Sequence, residues 1–393
     1  MSEGLLITLN AGSSTIKMGA FALGSGTPRL LLGAKIDFHH DPLVLRIDDA
    51  KGRTDHDLGL HRDAGIPAVL ARAIPCLTAH ADLGGLRAVG HRVVHGGDHF
   101  AGPVVLTPAI MAALEALTPF APLHQRQSLE LVRAIHTLRP DLCQTASFDT
   151  AFHQGNTDLV RRYAIPRHLH DRGVKRYGFH GLSYKYISGV LAGEGHTGKT
   201  VIAHLGSGAS LCAVEHGRSV ETSMGFSTLE GVPMATRSGA LDPGAVLHLL
   251  DYLHHSPATL TQMLYHECGL LGVSGISADS RVLLQSRAPE AAEAIALFTL
   301  RIAGEAARLA TTMGGMDRLV FTAGIGENQP QVRAAVCDHL SWLGVHLDPA
   351  ANAANARLIS TPDSRVAVMV IPTDEEQVLA EEALSVMADP PNC

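Results

Sequence analysis

Twice in 393 residues the chain runs a short apolar strand into a turn of small residues and back into a second short strand. The first unit joins residues 5–9 to residues 15–21 through Asn10-Ala11-Gly12-Ser13-Ser14. The second joins Val201 and Ile202 to residues 211–214 through Gly206-Ser207-Gly208-Ala209-Ser210. Small residues at such a turn let the backbone reverse tightly. Two similar hairpins half a chain apart point to a duplicated α/β unit, and 393 residues exceed what one hydrophobic core usually serves. Two domains are the expectation.

The segments between and after the hairpins alternate in kind. Residues 108–117, 127–138 and 183–191 space their apolar residues as helices do, whereas residues 88–94 and 144–148 are apolar runs of strand length. After the second hairpin, residues 243–253 and 290–313 carry helical spacing. Residues 318–322 predict a strand, residues 323–328 a glycine turn and residues 331–340 a helix. Residues 366–371 predict a last strand, and residues 375–387 a terminal helix. The order is mixed α/β. We expect an N-terminal domain over 1–150, with residues 376–393 packing back on it as a helix, and a C-terminal domain over 151–375.

Composition narrows the partners. A formal charge of -7 leaves no broad basic face, which argues against nucleic acid and an anionic membrane surface. No apolar stretch approaches the roughly 20 residues that span a bilayer. Glu3 and the short run 5–9 do not make a secretory leader, so a cytoplasmic location is expected. The six cysteines stand apart with no paired spacing and are expected as reduced thiols. His91, His95 and His99 repeat every four residues, but this shares a face only on a helix. Val93-Val94 and Gly96-Gly97 predict a strand entering a turn, and the metal reading is declined.

Residues 193–200, Gly-Glu-Gly-His-Thr-Gly-Lys-Thr, match the phosphate-loop pattern GxxxxGK[ST] letter for letter. A phosphate loop must follow a strand and open a helix, so that backbone N–H groups and the helix dipole face the phosphates. Here a helical stretch precedes it and a strand follows. It is read as a helix-to-strand turn.

Other segments carry the chemistry. In the first hairpin, backbone N–H groups and the hydroxyls of Ser13 and Thr15 can hold phosphate oxygens while Lys17 adds a mobile charge; the same residues also suit an ordinary hairpin loop. Arg92, in His91-Arg92-Val93-Val94-His95-Gly96-Gly97, ends a strand beside a flexible turn, and its donor fork suits a carboxylate or phosphate as well as a salt bridge. Arg237 lies in a long irregular segment, residues 224–239, of the kind that usually carries function. Asp149 ends a strand, where α/β proteins often aim an acid at a ligand, and reads equally as a surface carboxylate or a helix cap. His180 sits between Phe179 and Gly181 and reads equally as a core histidine. Residues 321–328, Phe-Thr-Ala-Gly-Ile-Gly-Glu-Asn, form a strand, glycine turn and helix start fit for a nucleotide. Glu375 and Glu376 either hold a Mg²⁺ or merely open the terminal helix.

Together these segments resemble, in order and over nearly the whole chain, the acetate and propionate kinase family. LNAGSSTIK, HRVVHGG, FDTAFH, RYGFHGLS, HLGSGAS, TSMGFSTLEGVPMATRSG, FTAGIGEN and IPTDEE each look like a motif of that family. The resemblance implies the α/β fold shared by actin, sugar kinases and Hsp70 ATPase domains, with two duplicated domains around a nucleotide cleft, and a homodimer. It implies ATP or ADP and acetate or acetyl phosphate as substrates, with Mg²⁺, or Mn²⁺ in its place, as cofactor.

Carried over by residue, Asn10 and Glu375 assist the metal. Lys17, with Ser13 and Thr15, serves the phosphates. Arg92 and Arg237 bind the carboxylate and the transferring phosphoryl group, His180 stabilises that group, and Asp149 is a catalytic acid. His204, Leu205, Gly206, Ser207 and Gly208 line the nucleotide site. So do Asp279, Ser280 and Arg281, and the turn Gly324, Ile325, Gly326, Glu327 and Asn328. Val94, Leu123 and Phe179 form the pocket for the acid's alkyl part. The chain departs from the family pattern at Ser207 (asparagine expected), Thr228 (proline), Gln125-Arg126 (Asn-Pro), Leu182 and Tyr184 (Thr and His), and Asp374 (Asn).

The reaction so implied is direct in-line transfer to acetate or another short-chain acid such as propionate. A nucleotide-driven conformational protein of the actin or Hsp70 type shares the fold and is the competing class.

Overall fold

The computed structural model of the chain describes residues 4–12, 15–24, 26–38, 40–80 and 85–387. The chain divides into two compact units, one made of 1–152 with 374–393 and the other of 153–373.

The first unit is built on eight strands: β1 (Gly4–Ala11), β2 (Thr15–Leu23), β3 (Arg29–Asp37), β4 (Val44–Asp49), β5 (Gly52–Asp57), β6 (Leu86–Val93), β7 (Val104–Val105) and β8 (Cys143–Phe148). They lie in the order β5-β4-β3-β2-β1-β6-β8-β7. β1 and β2 form the expected antiparallel hairpin, which puts Asn10 opposite Lys17. β6 lies parallel to β1 on its other side, and β8 parallel to β6.

The period-two alternation of β1 then decides what packs where. Ile7 and Leu9 face a core shared with Leu70, Ala73 and Leu77 of the helix Ile66–His80 and with Leu131 and Ile135 of the helix Pro122–Leu138. Leu6 faces the opposite side, where Ala380 and Ala383 of the helix Glu375–Met387 pack against Phe21 and Ala88. That helix comes so close to β6 that a Cβ on Gly90 would lie 3.3 Å from the Ala383 Cβ. Glycine is what lets the chain's last helix seat on this sheet.

The second unit has five strands: β9 (Thr200–Leu205), β10 (Ala209–Glu215), β11 (Arg218–Thr222), β12 (Arg318–Thr322) and β13 (Ala367–Val370), in the order β11-β10-β9-β12-β13. Two antiparallel pairings are followed by two parallel ones. The sequence β3-β2-β1-β6-β8 in the first unit runs through the same directions, so the two sheets share one topology, as a duplicated unit would. The long helix Pro289–Met313 crosses this sheet with Ala294, Phe298, Ile302, Ala306 and Leu309 buried, and ends where Gly314 turns left-handed at φ 68°. Ala294 and Ala306 let helix and sheet approach closely.

Two expectations need correction. The turn over residues 323–328 is itself a short helix, Ala323–Asn328. Cys76, Cys212, Cys268 and Cys337 are free thiols, but Cys143 is disulfide-bonded, because spacing along the chain does not report proximity in space. Among the described residues no helix is long and apolar enough to cross a membrane.

Candidate active site

In the first unit the chemistry gathers at the carboxyl ends of β1, β6 and β8. Arg92 leaves the end of β6 beside Asp149, the residue after β8, and grips its two oxygens through Nε at 2.8 Å and Nη2 at 2.5 Å. Asp149 is 1 % exposed. Burial opposes the Arg92 charge, but Asp149, with Glu375 and Glu376 adding, more than offsets this and holds the guanidinium pKa above its ordinary value. The remaining nitrogen, Nη1, donates to the Asn10 side-chain oxygen at 3.0 Å. Asn10 in turn donates through Nδ2 to Glu375 at 2.9 Å and Glu376 at 3.1 Å. Burial pushes the Glu376 carboxyl up from its ordinary value, with Lys17 opposing and Glu375 adding to the shift.

The predicted residues Asn10, Lys17, Arg92, Asp149 and Glu375 therefore come together, joined by Glu376. Thr15 opens β2 beside them, and its carbonyl accepts from the Gly12 N–H at 2.8 Å. Ser13 lies outside the described residues, as does the side chain of Leu123 on the helix Pro122–Leu138. Val94 is buried behind the Arg92 turn.

That turn is held by Gln125, where the family pattern has asparagine. Gln125 accepts from the His95 N–H at 3.1 Å and donates to the His95 and Leu114 carbonyls at 3.2 and 3.1 Å. His91 bonds Gln144 at 2.7 Å, His95 caps Gly97 at 3.0 Å, and His99 is exposed. Burial pushes His91 and His95 each down to about 4, which keeps them neutral. The three-histidine metal site does not form, and among the described residues no three His, Cys, Asp or Glu side chains converge as a metal cage.

In the second unit the predicted residues gather at the β9-β10 turn. An ideal Cβ on Gly208 would stand 3.3 Å from His180 Nε2 and 3.7 Å from Arg237 Nη1. Glycine leaves that space clear. His180 sits at φ 57°, a left-handed backbone unusual for a side-chain residue, and its ring stacks on His204 with centroids 4.2 Å apart. Phe179 before it is buried, and its carbonyl accepts from His153 Nε2 at 3.0 Å. Burial pushes His153 down to about 4.

Arg237 is placed by its loop. The Ala235 N–H donates to the Ser207 carbonyl at 3.1 Å, tying that loop to the β9-β10 turn. Arg237 Nη1 donates to the Thr228 carbonyl at 3.4 Å. Gly269, at φ 63°, lies so close behind that an added Cβ would stand 2.1 Å from the Met234 carbonyl and 2.7 Å from that of Arg237. Tyr163 and Arg176 both bond Glu230 at the far side of the same loop.

The helix Ala323–Asn328 follows β12. Glu327 acts there as a bracket: one carboxylate oxygen accepts from the Ala323 N–H at 2.8 Å and the Thr373 N–H at 3.1 Å. Arg333, fully buried, donates to the Gly326 and Glu327 carbonyls at 2.8 and 3.0 Å, satisfying groups at the end of that helix. Gly324 accepts from the Asn328 side chain at 3.0 Å, and Ile325 is buried. Asp279 caps the helix Ser280–Gln285 and pairs with the exposed Arg281 at 2.6 Å. Ser280 is buried and accepts from Gln329 at 2.7 Å. The helix Gly181–Gly193 precedes the GKT segment and β9 follows it, and Lys199 Nζ reaches the Gly314 carbonyl at 3.5 Å.

With this arrangement on the page, the comparison with known proteins is direct. A profile of the acetokinase family matches residues 5–381. The chain belongs to the acetokinase family. Acetate kinase of Rhodopseudomonas palustris (strain TIE-1) is 46% identical over 389 residues, which is 97% of this chain and 97% of that one. A crystal structure of a propionate kinase from Francisella tularensis superposes with a TM-score of 0.89 at 33% identity, covering 96% of this chain and 98% of that one. Porphyromonas gingivalis acetate kinase gives a TM-score of 0.84 at 32% identity, covering 98% and 100%. The fold is that of this family, the actin-like ATPase fold, mixed α/β with two sheets.

Proposed function

We propose that the protein transfers the terminal phosphoryl group of ATP reversibly to acetate, giving acetyl phosphate and ADP. The observation that carries this reading is the convergence of His180 Nε2 and Arg237 Nη1 on the space that Gly208 leaves empty. Two side-chain nitrogens converging on one small glycine-cleared volume suit the equatorial oxygens of a phosphoryl group.

A carboxylate is already a nucleophile, so no base is needed. One oxygen of acetate attacks the γ-phosphorus, the bond from that phosphorus to the β–γ bridging oxygen breaks, and the electron pair leaves on ADP. No proton moves. The barrier is repulsion between an anion and a polyanion, which Arg92, Arg237, His180 and Lys17 offset. Asp149 orients the Arg92 fork. Nucleotide binding falls to Ser13, Thr15 and Lys17, to the turn from His204 to Gly208, to Asp279, Ser280 and Arg281, and to the helix carrying Gly324 to Asn328.

Asn10, Glu375 and Glu376 bring one amide and two carboxylates together, the Asn10 Nδ2 donating to the two acids at 2.9 and 3.1 Å. That fits Mg²⁺, or Mn²⁺ in its place, since such ions are commonly held by one or two carboxylates together with substrate phosphates. A bound cation there neutralises phosphate charge.

The test is a hydroxamate assay for acyl phosphate, run with ATP and a panel of acetate, propionate and butyrate. Hydroxamate with acetate is expected; ATP hydrolysis with no hydroxamate from any acid would refute the reading. Preference for propionate is the second outcome to watch, because Thr228 is buried beside Arg237 where the family pattern has proline. One methylene in a small pocket changes kcat/KM by only about 10- to 200-fold.

We further propose a cytoplasmic homodimer. ATP, the phosphoryl donor of the proposed reaction, is a cytosolic substrate. The helix Pro243–Asp251 buries none of its residues and exposes Leu247 at 57 %, with Tyr252 at 73 % just beyond, which supports a second copy covering this face.

A further inference from the structure

Tyr184 stands where the family pattern has histidine. It lies on the helix Gly181–Gly193, fully buried, with its N–H donating to the His180 carbonyl at 3.1 Å. Its phenol oxygen is within hydrogen-bond reach of Ser210 Oγ, and the same Oγ lies 2.8 Å from His180 Nδ1. Ser210, on β10, is also fully buried. Three polar groups from a turn, a helix and a strand thus meet on one hydroxyl.

From this we infer that Tyr184 and Ser210 form a hydroxyl relay that fixes the neutral His180 ring as its Nε2–H tautomer. Tyr184 is then a positioning residue for the imidazole. The inference rests on the role proposed for His180 in phosphoryl binding.

The argument is a count of protons. Ser210 Oγ has one proton and two neighbours. In one wiring Tyr184 donates to Ser210, and Ser210 donates to His180 Nδ1, so the ring proton must sit on Nε2. In a second, Ser210 donates to Tyr184 and His180 Nδ1–H donates to Ser210, leaving Nε2 bare; a third, with both neighbours donating to Ser210, strands the buried Ser210 proton without an acceptor and is costly. A phenol is a stronger hydrogen-bond donor and a weaker acceptor than an aliphatic alcohol, which selects the first. Burial, with the Cys212 thiol adding to it, pushes the Tyr184 pKa well up, so the phenol keeps the proton it donates. Neighbouring rings hold the frame: His153 sits edge-on to Tyr184 at 5.7 Å, and His204 stacks on His180 at 4.2 Å with its own Nδ1 held by Ser183 at 2.8 Å.

The consequence is directional. His180 Nε2 lies 3.3 Å from where a Cβ of Gly208 would be, so the selected tautomer presents an N–H donor to that space. The rejected tautomer presents a lone pair, which repels phosphoryl oxygen.

The experiment uses full-length protein with ¹⁵N-labelled histidine and long-range ¹H–¹⁵N spectra, recorded above the titration range of the ring and assigned with His180→Gln. The expected wild-type pattern is a pyrrole-like Nε2 and a pyridine-like Nδ1 at His180. Tyr184→Phe keeps the ring volume and should give a mixture of tautomers. Its kcat should fall about tenfold with KM for both substrates within twofold, since a misplaced donor costs less than the 10²- to 10³-fold of a deleted one. Ser210→Ala should also lose the preference, and carries the test if Tyr184→Phe melts early. A pyridine-like Nε2 in the wild type, or an unchanged tautomer in both folded variants, overturns the relay. A normal kcat in His180→Gln overturns instead the phosphoryl role on which the inference rests, and leaves the spectra untouched.

Discussion

Arg92 holds Asp149 by both oxygens although 57 residues separate them, and the carboxylate is almost wholly shut from water. Asp149→Asn halves the charge complement while keeping the shape. Removing one partner of a buried pair costs about 3 to 5 kcal/mol. A melting temperature clearly below wild type is therefore expected, together with a kcat lower by at least about a hundredfold. Arg92→Lys should not restore turnover, because a point charge cannot make the two-pronged contact. Near-normal kcat in Asp149→Asn, measured below its melting temperature, counts against the pair.

Gly269 faces the loop that carries Arg237, with room for no side chain. Gly269→Ala forces either the Met234 and Arg237 carbonyls or the left-handed backbone at 269 to move. Displacement of about 1 Å at a catalytic group can cost on the order of 100-fold. The variant should lose kcat by that order while circular dichroism stays native. An unaltered kcat would show that Arg237 does not depend on this wall.

His91, His95 and His153 are each pushed down to about 4 by burial, against an ordinary value of 6.5. Between those two values the unfolded chain takes up protons that the folded chain refuses. Stability is therefore complete above about pH 6.5 and falls as pH drops toward 4. Each group contributes a slope of at most about 1.4 kcal/mol per pH unit. Urea midpoints at pH 7, 6 and 5 should fall steeply, and His91→Gln should shallow the slope. A flat profile over that range contradicts the neutral assignment.

Lys199 lies in a turn from helix to strand, with its ammonium at the Gly314 carbonyl. Lys199→Ala should leave acyl phosphate formation within about twofold of wild type, since the segment lacks the strand-to-helix geometry of a phosphate loop. Loss of ATP turnover in a folded variant would restore the phosphate-loop reading.

Leu247 is the most exposed leucine of the helix Pro243–Asp251. Leu247→Glu puts a charge into the face proposed to pair with a second copy. Sedimentation should show a dimer for the wild type and a monomer for the variant. Two dimers, or two monomers, would move the contact elsewhere.

The strands and helices that position the site were mostly legible. Both hairpins, the strand ending in Arg92 and the helix Glu375–Met387 follow from periodicity and turn residues. Strands β3, β4 and β5 went unread, because β5 is almost fully exposed and offers no apolar alternation, and because β4 and β5 are held by cross-strand pairs such as Arg46 with Asp55. The short helix Ala323–Asn328 was read as a turn for a local reason, since two glycines in six residues argue against helix unless tertiary contacts such as the Arg333 cap supply the difference.

The amino-acid sequence alone determined the family, the duplicated α/β plan and the identity of the charged residues, because motifs and periodicities are local and survive without coordinates. Only the folded chain decided who holds whom. Asn10 meets Glu375 across 365 residues, Glu327 brackets Ala323 and Thr373, and Ser210 joins Tyr184 to His180. A hydrogen bond exists only within about 3 Å and along one direction. Parallel strands and their crossovers bring distant residues to that range, and spacing along the chain carries no trace of it.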